Sequence, residues 1–362
     1  MIDMNLLKSE ERAIVSLRAL YQSFGYLPFK MSKFEEYDLY AKNKDFLVSD
    51  RIITFAGSDG KLLALKPDVT LSIIKNTARE SSSSTRLYYN ENVYRPGSSG
   101  HYTEIMQTGI ENIGELDKCD ICEAVYLAAK SLESLSENFV LDLSHMGLIS
   151  ALLFEISDDP AFHRDVFSAL ASKSVHEIEN VARNFELDGK WLTLLQSLVD
   201  FNGSFADAVA LIEKASSSDG VASALAELSA IGELVLASDL SDRVKIDFSA
   251  VSNINYYNGI VFSGYVEGIA DRILAGGEYS GLLSSMNRSG RAVGFAIYLD
   301  LLERLDAECE PYDVDVLLVY SDKTPINKLF ETRAALTADG KSVSAHKSRD
   351  VKVRYKDIVD IS

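Results

Sequence analysis

The sequence predicts an α+β chain: an antiparallel sheet core, a helical insertion within it, and a small α/β unit at the C-terminus. Three observations predict it. Short strand-like runs broken by Gly, Ser and Pro turns occupy residues 52–113. Across residues 148–240, Ala, Leu, Ser and Glu recur at helical spacing. After an acidic stretch at 308–311 that ends in Pro311, the pattern becomes strand, helix, strand. A chain of 362 residues has room for two domains, or one large domain with an insertion. The predicted boundaries are 1–147 and 241–306 for the core, 148–240 for the insertion and 312–362 for the tail.

The elements follow in order. Residues 7–24 form an amphipathic helix, and Gly25 stops it. Pro28 starts an extended stretch. Strands at 52–55 and 61–65 flank Gly57-Ser58-Asp59-Gly60, a hairpin turn. A helix runs from Pro67 through residue 79, capped by Asp68. Residues 86–89 and 92–95 are strands, 96–100 a loop, 104–113 the returning strand and 117–135 a helix. After the insertion, strands are expected at 244–248, 259–265 and 269–274, then a helix at 292–304. The tail has a strand at 314–320, a helix at 325–338, a strand at 342–346 and a short strand near 351–355.

Composition narrows the function. The net charge is −18, from 54 acidic and 36 basic residues, and no run of basic residues is visible. Nucleic acids are bound largely through clustered Lys and Arg, so the charge argues against tRNA. No unbroken apolar run reaches the roughly 18 residues that span a bilayer. The N-terminus is acidic where a signal peptide is basic. A soluble cytoplasmic protein is expected. The cysteines are Cys119, Cys122 and Cys309. The pair at 119 and 122 has the spacing of half a zinc site, but no second pair completes it. On a helix the two are packing residues, and neither a metal nor a cofactor is expected.

Few residues suggest chemistry. Gln107 and Glu111 are four apart on a strand and share a face. Two readings stand. They hold a cationic ligand from within the fold, or they lie on the solvent face of an edge strand. Arg95 precedes a Gly/Ser loop, where it pairs with an anion or is a plain surface arginine. Gly276-Gly277-Glu278-Tyr279 lacks the spacing and lysine of a phosphate loop, so its glycines let a strand approach a ligand or another backbone.

Several segments, in order, resemble the core of histidyl-tRNA synthetase, a class II aminoacyl-tRNA synthetase-like fold. They are residues 28–40, Leu65-Lys66-Pro67-Asp68-Val69-Thr70, Val93-Tyr94-Arg95, residues 107–114, Asn255-Tyr256-Tyr257, Gly276–Tyr279 and Gly294-Phe295-Ala296. The resemblance covers residues 5–305. It implies a histidine pocket made of Asp68, Thr70, Arg95, Gln107, Glu111, Tyr256 and Tyr257. Glu111 would meet the imidazole, Asp68 and Thr70 the α-amino group, and the tyrosines would wall the ring. Asp68 is one methylene shorter than the synthetase's usual Glu. The ATP side departs from the pattern. Ser252 stands where the synthetase motif has arginine, Leu301 where a second is expected, and the loop after Arg95 carries Ser98, Ser99 and His101. Developing phosphate charge needs positioned cations or Mg²⁺.

The chain is therefore most similar to the ATP phosphoribosyltransferase regulatory subunits, which keep this core without the synthetase's ATP residues. That resemblance implies a non-catalytic homodimer within a hetero-oligomer. It would activate a short-form catalytic subunit, help to sense histidine and bind no tRNA or membrane. The shortened tail, about 50 residues, points the same way. The other readings are an ATP-dependent histidine-activating enzyme such as the synthetase itself, or a binding module on this fold.

Overall fold

The computed structural model describes residues 7–47, 51–77, 84–97, 100–250, 256–302 and 312–362. The chain divides into two compact units, Met1–Arg304 and Leu305–Ser362. The first is built on an eight-stranded sheet. In chain order its elements begin with α1 (Ser9–Ser23), whose Ala13, Leu17 and Tyr21 are buried at helical spacing. Gly25, at φ 81°, ends the helix in the left-handed region. β1 (Leu27–Pro28) follows as a sheet edge. A separate three-stranded sheet is formed by β2 (Phe34–Glu36), β3 (Thr54–Ala56) and β4 (Leu62–Leu65), with α2 (Tyr37–Ala41) between the first two. Then come α3 (Thr70–Asn76), the long hairpin β5 (Thr85–Pro96) and β6 (Tyr102–Gly114), and α4 (Lys118–Leu135), capped by Asp117 through the N–H groups of Cys119 and Asp120.

Between β7 (Phe139–His145) and β8 (Val244–Ile246) lie six helices: α5 (Met146–Ile156), α6 (Pro160–Ala171), α7 (Val175–Asn184), α8 (Gly189–Val199), α9 (Phe205–Glu213) and α10 (Asp219–Ala237). They belong to the first unit. α10 is apolar and long enough by composition to cross a membrane. Its stripe of Val221, Leu225, Leu228, Ile231 and Val235 is instead buried, with α4, α5 and α9 packed around it. β9 (Ile260–Val266), β10 (Leu274–Glu278), α11 (Ser280–Ser285) and β11 (Arg291–Tyr298) complete the unit. The strand order is β1-β5-β6-β11-β10-β9-β7-β8. Pairing is antiparallel except at the two ends, where β1 joins β5 and β8 joins β7 in parallel.

In the second unit, β12 (Val314–Val319) is the centre of a parallel sheet ordered β13-β12-β14, with β13 at Val343–His346 and β14 at Tyr355–Asp360. The helix α12 (Ile326–Ala338) connects β12 to β13.

Four expectations differ from what forms. The helix expected at 292–304 is the strand β11, followed by a 3-10 turn at Leu299–Leu302. Ala292 to Ile297 is apolar on both faces, a pattern that does not separate strand from buried helix, and pairing with β6 and β10 decides it. The strand expected at 269–274 begins only at Leu274 and runs through Gly276-Gly277. The strands expected at 86–89 and 92–95 are one continuous β5. The last strand starts at Tyr355, where the expected one ends. The expected linker at 308–311 lies outside the described residues.

Candidate functional site

β6 supplies the floor of a cavity of about 320 Å3. Its Gln107 and Glu111 both line that cavity, as the spacing of four requires. Each is 2% exposed, and β6 lies inside the sheet between β5 and β11, so the edge-strand reading is excluded. Two glycines make room. A Cβ on Gly109 would sit 1.9 Å from the Phe295 carbonyl oxygen, and one on Gly294 would sit 2.0 Å from Glu111 Oε2.

Glu111 accepts from both sides. Thr70 Oγ1 donates to Oε1 at 2.7 Å, and the Tyr279 hydroxyl donates to Oε2. Burial pushes its carboxyl up to about 8, the two hydroxyl donors work against this, and the charge of Asp68 adds to it. With these neighbours alone Glu111 holds a proton at neutral pH, and a cationic or N–H donor placed beside it would release that proton. Gln107 differs, because its Nε2 is buried without an acceptor.

Asp68 caps α3 in effect, since its Oδ1 accepts from Leu71 N at 2.9 Å. Its Oδ2 faces Arg95 Nη2 at 3.7 Å, and Arg95 Nε donates to the Pro67 carbonyl at 2.7 Å. Burial raises the Asp68 carboxyl, and Arg95 opposes the shift. The roof is aromatic. Tyr256 and Tyr257 meet edge to face at 4.7 Å between centroids, Tyr279 lies 5.8 Å from Tyr256, and Phe46 6.3 Å. These rings supply apolar surface with polar tips.

The cavity strands are tied to α10. Arg291 on β11 grips Glu278 on β10 with Nε to Oε1 at 2.8 Å and Nη2 to Oε2 at 2.6 Å, and Nη2 also reaches Glu227 Oε2 on α10 at 2.8 Å. Such a bidentate pair fixes the strands that carry Gly276 and Gly294.

All seven residues that the sequence singled out line this one cavity. The ATP-side positions are dispersed or undescribed. Leu301 is half-buried on the 3-10 turn, His101 is exposed in the β5–β6 loop, and Ser98, Ser99 and Ser252 lie outside the described residues. The structure adds Tyr279, Arg272 and Tyr298. Tyr279 stood in a quoted motif, but its bond to Glu111 depends on β11 pairing with β6 on one side and β10 on the other. Cys119 is exposed and Cys122 half-buried on α4, both free; Cys309 lies outside the described residues. Among the described residues no group of three or more His, Cys, Asp or Glu could hold a metal.

Glu111 also predicts a stability effect. Its folded pKa lies above the unfolded value of about 4.3. The contribution is thus fully present below about 4.3 and is lost as pH rises through about 8. Denaturation at pH 5 and pH 9 is expected to show wild type losing stability relative to Glu111→Gln, by a few kcal/mol at most. A parallel response of the two proteins would contradict the shift.

Comparison with known proteins concerns the chain as a whole. A family model described as histidyl-tRNA synthetase matches residues 5–302. An ATP phosphoribosyltransferase regulatory subunit of Clostridium kluyveri is 28% identical over 340 residues, covering 90% of this chain and 85% of that protein. One from Bacillus thuringiensis is 26% identical over 341 residues, 91% of this chain and 80% of its own. A Bacillus halodurans structure described as an ATP phosphoribosyltransferase regulatory subunit/histidyl-tRNA synthetase superposes with TM-score 0.79 at 22% identity, over 97% of this chain and 93% of that one. The HisG:HisZ complex of ATP phosphoribosyl transferase from Thermotoga maritima gives 0.63 at 20% identity, over 80% and 97%.

Proposed function

The chain belongs to the histidyl-tRNA synthetase family, and we propose that within it this protein regulates ATP phosphoribosyltransferase rather than charging tRNA. It is a regulatory subunit of that enzyme, which opens histidine biosynthesis, and it acts in a hetero-oligomer with the catalytic subunit. One observation supports this reading. The seven residues that resemble the synthetase's histidine pocket line one cavity, while Ser252 and Leu301 stand where that resemblance requires arginines.

Histidine is the ligand of the cavity. Its imidazole meets Glu111, its α-amino group meets Asp68 and Thr70, and Tyr256 and Tyr257 flank the ring. Among the described residues lining the cavity the cations are Arg95 and Arg272, and Arg95 is engaged by Asp68. Nothing there resembles the cluster that steadies a developing phosphate charge. The protein has no catalysis of its own, works in the cytoplasm and binds no tRNA. It activates a short-form catalytic subunit and passes on histidine inhibition by favouring one state of the assembly.

A homodimer within the assembly is expected. Leu27 on edge strand β1 is 65% exposed, and Phe34 and Phe55 expose 46% and 39% while stacking edge to face at 5.6 Å. Such apolar surface calls for cover. Light scattering should give twice the monomer mass; a stable monomer at micromolar concentration contradicts the dimer.

The enzymatic alternative is tested by histidine-dependent exchange of pyrophosphate into ATP. The protein is expected to give only the background rate. Exchange at a synthetase's rate would make it an activating enzyme.

A further inference from the structure

We propose that Glu227, acting through Arg291 and Glu278, positions the cavity strands from α10, so that occupancy of the cavity is felt at α10 and thus in the helical insertion. This rests on the reading of the cavity as a histidine site.

Three observations carry it. The first is alternation along the strands. Glu111 and Gly294 pair across β6 and β11 and line the cavity. Gly294 pairs in turn with Gly277, where a Cβ would sit 2.6 Å from the Tyr257 ring. The next pair, Glu278 with Val293, therefore points to the opposite face of the sheet. Arg291, two residues before Val293, shares that face and grips Glu278. Tyr279 returns to the cavity and donates to Glu111. The Glu278–Arg291 pair is thus one residue from the cavity wall.

The second is a closed circuit of contacts. The Glu278 carbonyl accepts from Asn258 N at 3.0 Å, and the Gly259 carbonyl accepts from Met146 N at 2.7 Å. Met146 opens α5 and follows His145, which caps that helix by accepting at Nδ1 from Leu148 N at 3.1 Å. An accepting Nδ1 leaves the ring proton on Nε2. That Nε2 faces Glu227, whose other oxygen is held by Arg291. The segment carrying Tyr257, the two strands, α5 and α10 are joined in one ring.

The third is that the ring has an open joint. His145 Nε2 and Glu227 Oε1 lie 3.4 Å apart, both buried, and neither has a hydrogen-bond partner. A shift of about 0.5 Å would close the bond. Such a joint has two arrangements, which coupling between distant sites requires. A ligand that draws the Tyr257 segment inward moves His145 through Met146 and favours the closed one.

The test is hydrogen exchange read by mass spectrometry on the whole protein, with and without L-histidine, in wild type, Glu227→Gln and His145→Asn. Glutamine keeps the shape and the bond to Arg291 but turns an N–H toward His145. Asparagine keeps the α5 cap and loses the Nε2 donor. In wild type, histidine is expected to slow exchange in the middle of α10 by about fivefold or more. In both variants that slowing should shrink to within about twofold, and histidine affinity should fall by up to about fivefold, because coupling is reciprocal. A merely structural role would speed exchange with and without histidine alike and leave the difference intact. That result in either folded variant overturns the coupling. So does wild-type α10 exchange that histidine leaves unchanged or speeds, with binding still weakened by Glu111→Gln; the cavity reading then stands. Histidine binding that is absent in wild type, or indifferent to Glu111→Gln, overturns the cavity reading and the coupling with it.

Discussion

Replacing Glu111 with alanine is expected to cost roughly 1.5–3 kcal/mol of histidine affinity, the scale of a hydrogen bond to a charged group. The change removes the acceptor proposed for the imidazole and strands the Thr70 and Tyr279 hydroxyls that now converge on its two oxygens. It also removes a carboxyl that burial disfavours in its charged form, so the fold should survive. Calorimetry measures the loss, and circular dichroism checks the fold. In the assembly with the catalytic subunit, the same variant should keep activation and lose inhibition by histidine. Activation needs the interface between subunits, whereas inhibition needs the ligand. Unchanged affinity in a folded variant would mean that histidine binds elsewhere.

The second large effect is on pH. Free imidazole titrates near 6.5, and the Glu111 carboxyl near 8. Between those values the ring is neutral and Glu111 protonated, so the pair already holds the single proton that their contact shares. Below the window binding must release a proton, and above it binding must take one up. Affinity should peak between about 6.5 and 8 and fall by up to about tenfold per pH unit outside that range. Glu111→Gln should make the alkaline limb shallower, leaving only the part set by the α-amino group of the ligand. Titrations from pH 5.5 to 9 in buffers of different ionisation enthalpy would reveal both limbs, and a flat profile would exclude Glu111 as the partner of the ring.

Local spacing made part of the site legible, and the resemblance to histidyl-tRNA synthetase supplied the rest, the gathering of Asp68, Thr70, Arg95 and the two tyrosines with Gln107 and Glu111. Gln107 and Glu111 share a face on any strand. Asp68 stands just ahead of α3, and the adjacent tyrosines announce an aromatic wall. Tyr279, Arg272 and Tyr298 carry no such mark, because their places on the cavity wall come from which strands lie side by side. The order β6-β11-β10-β9 is a long-range outcome that no local pattern encodes. The misreading of 292–304 has the same root. A short apolar run buried on both faces carries no period, and it was β6 and β10 that made it a strand. The grip of Arg291 on Glu278 and Glu227 joins residues 13 and 64 positions apart and had no signature in the sequence.

The most direct test of the account is the rate of phosphoribosyl transfer to ATP by a short-form catalytic subunit, measured with and without this protein and with and without histidine. Little activity is expected from the catalytic subunit alone, a rise on adding this protein, and a fall when histidine is then added. A catalytic subunit whose rate ignores this protein at any ratio would contradict it.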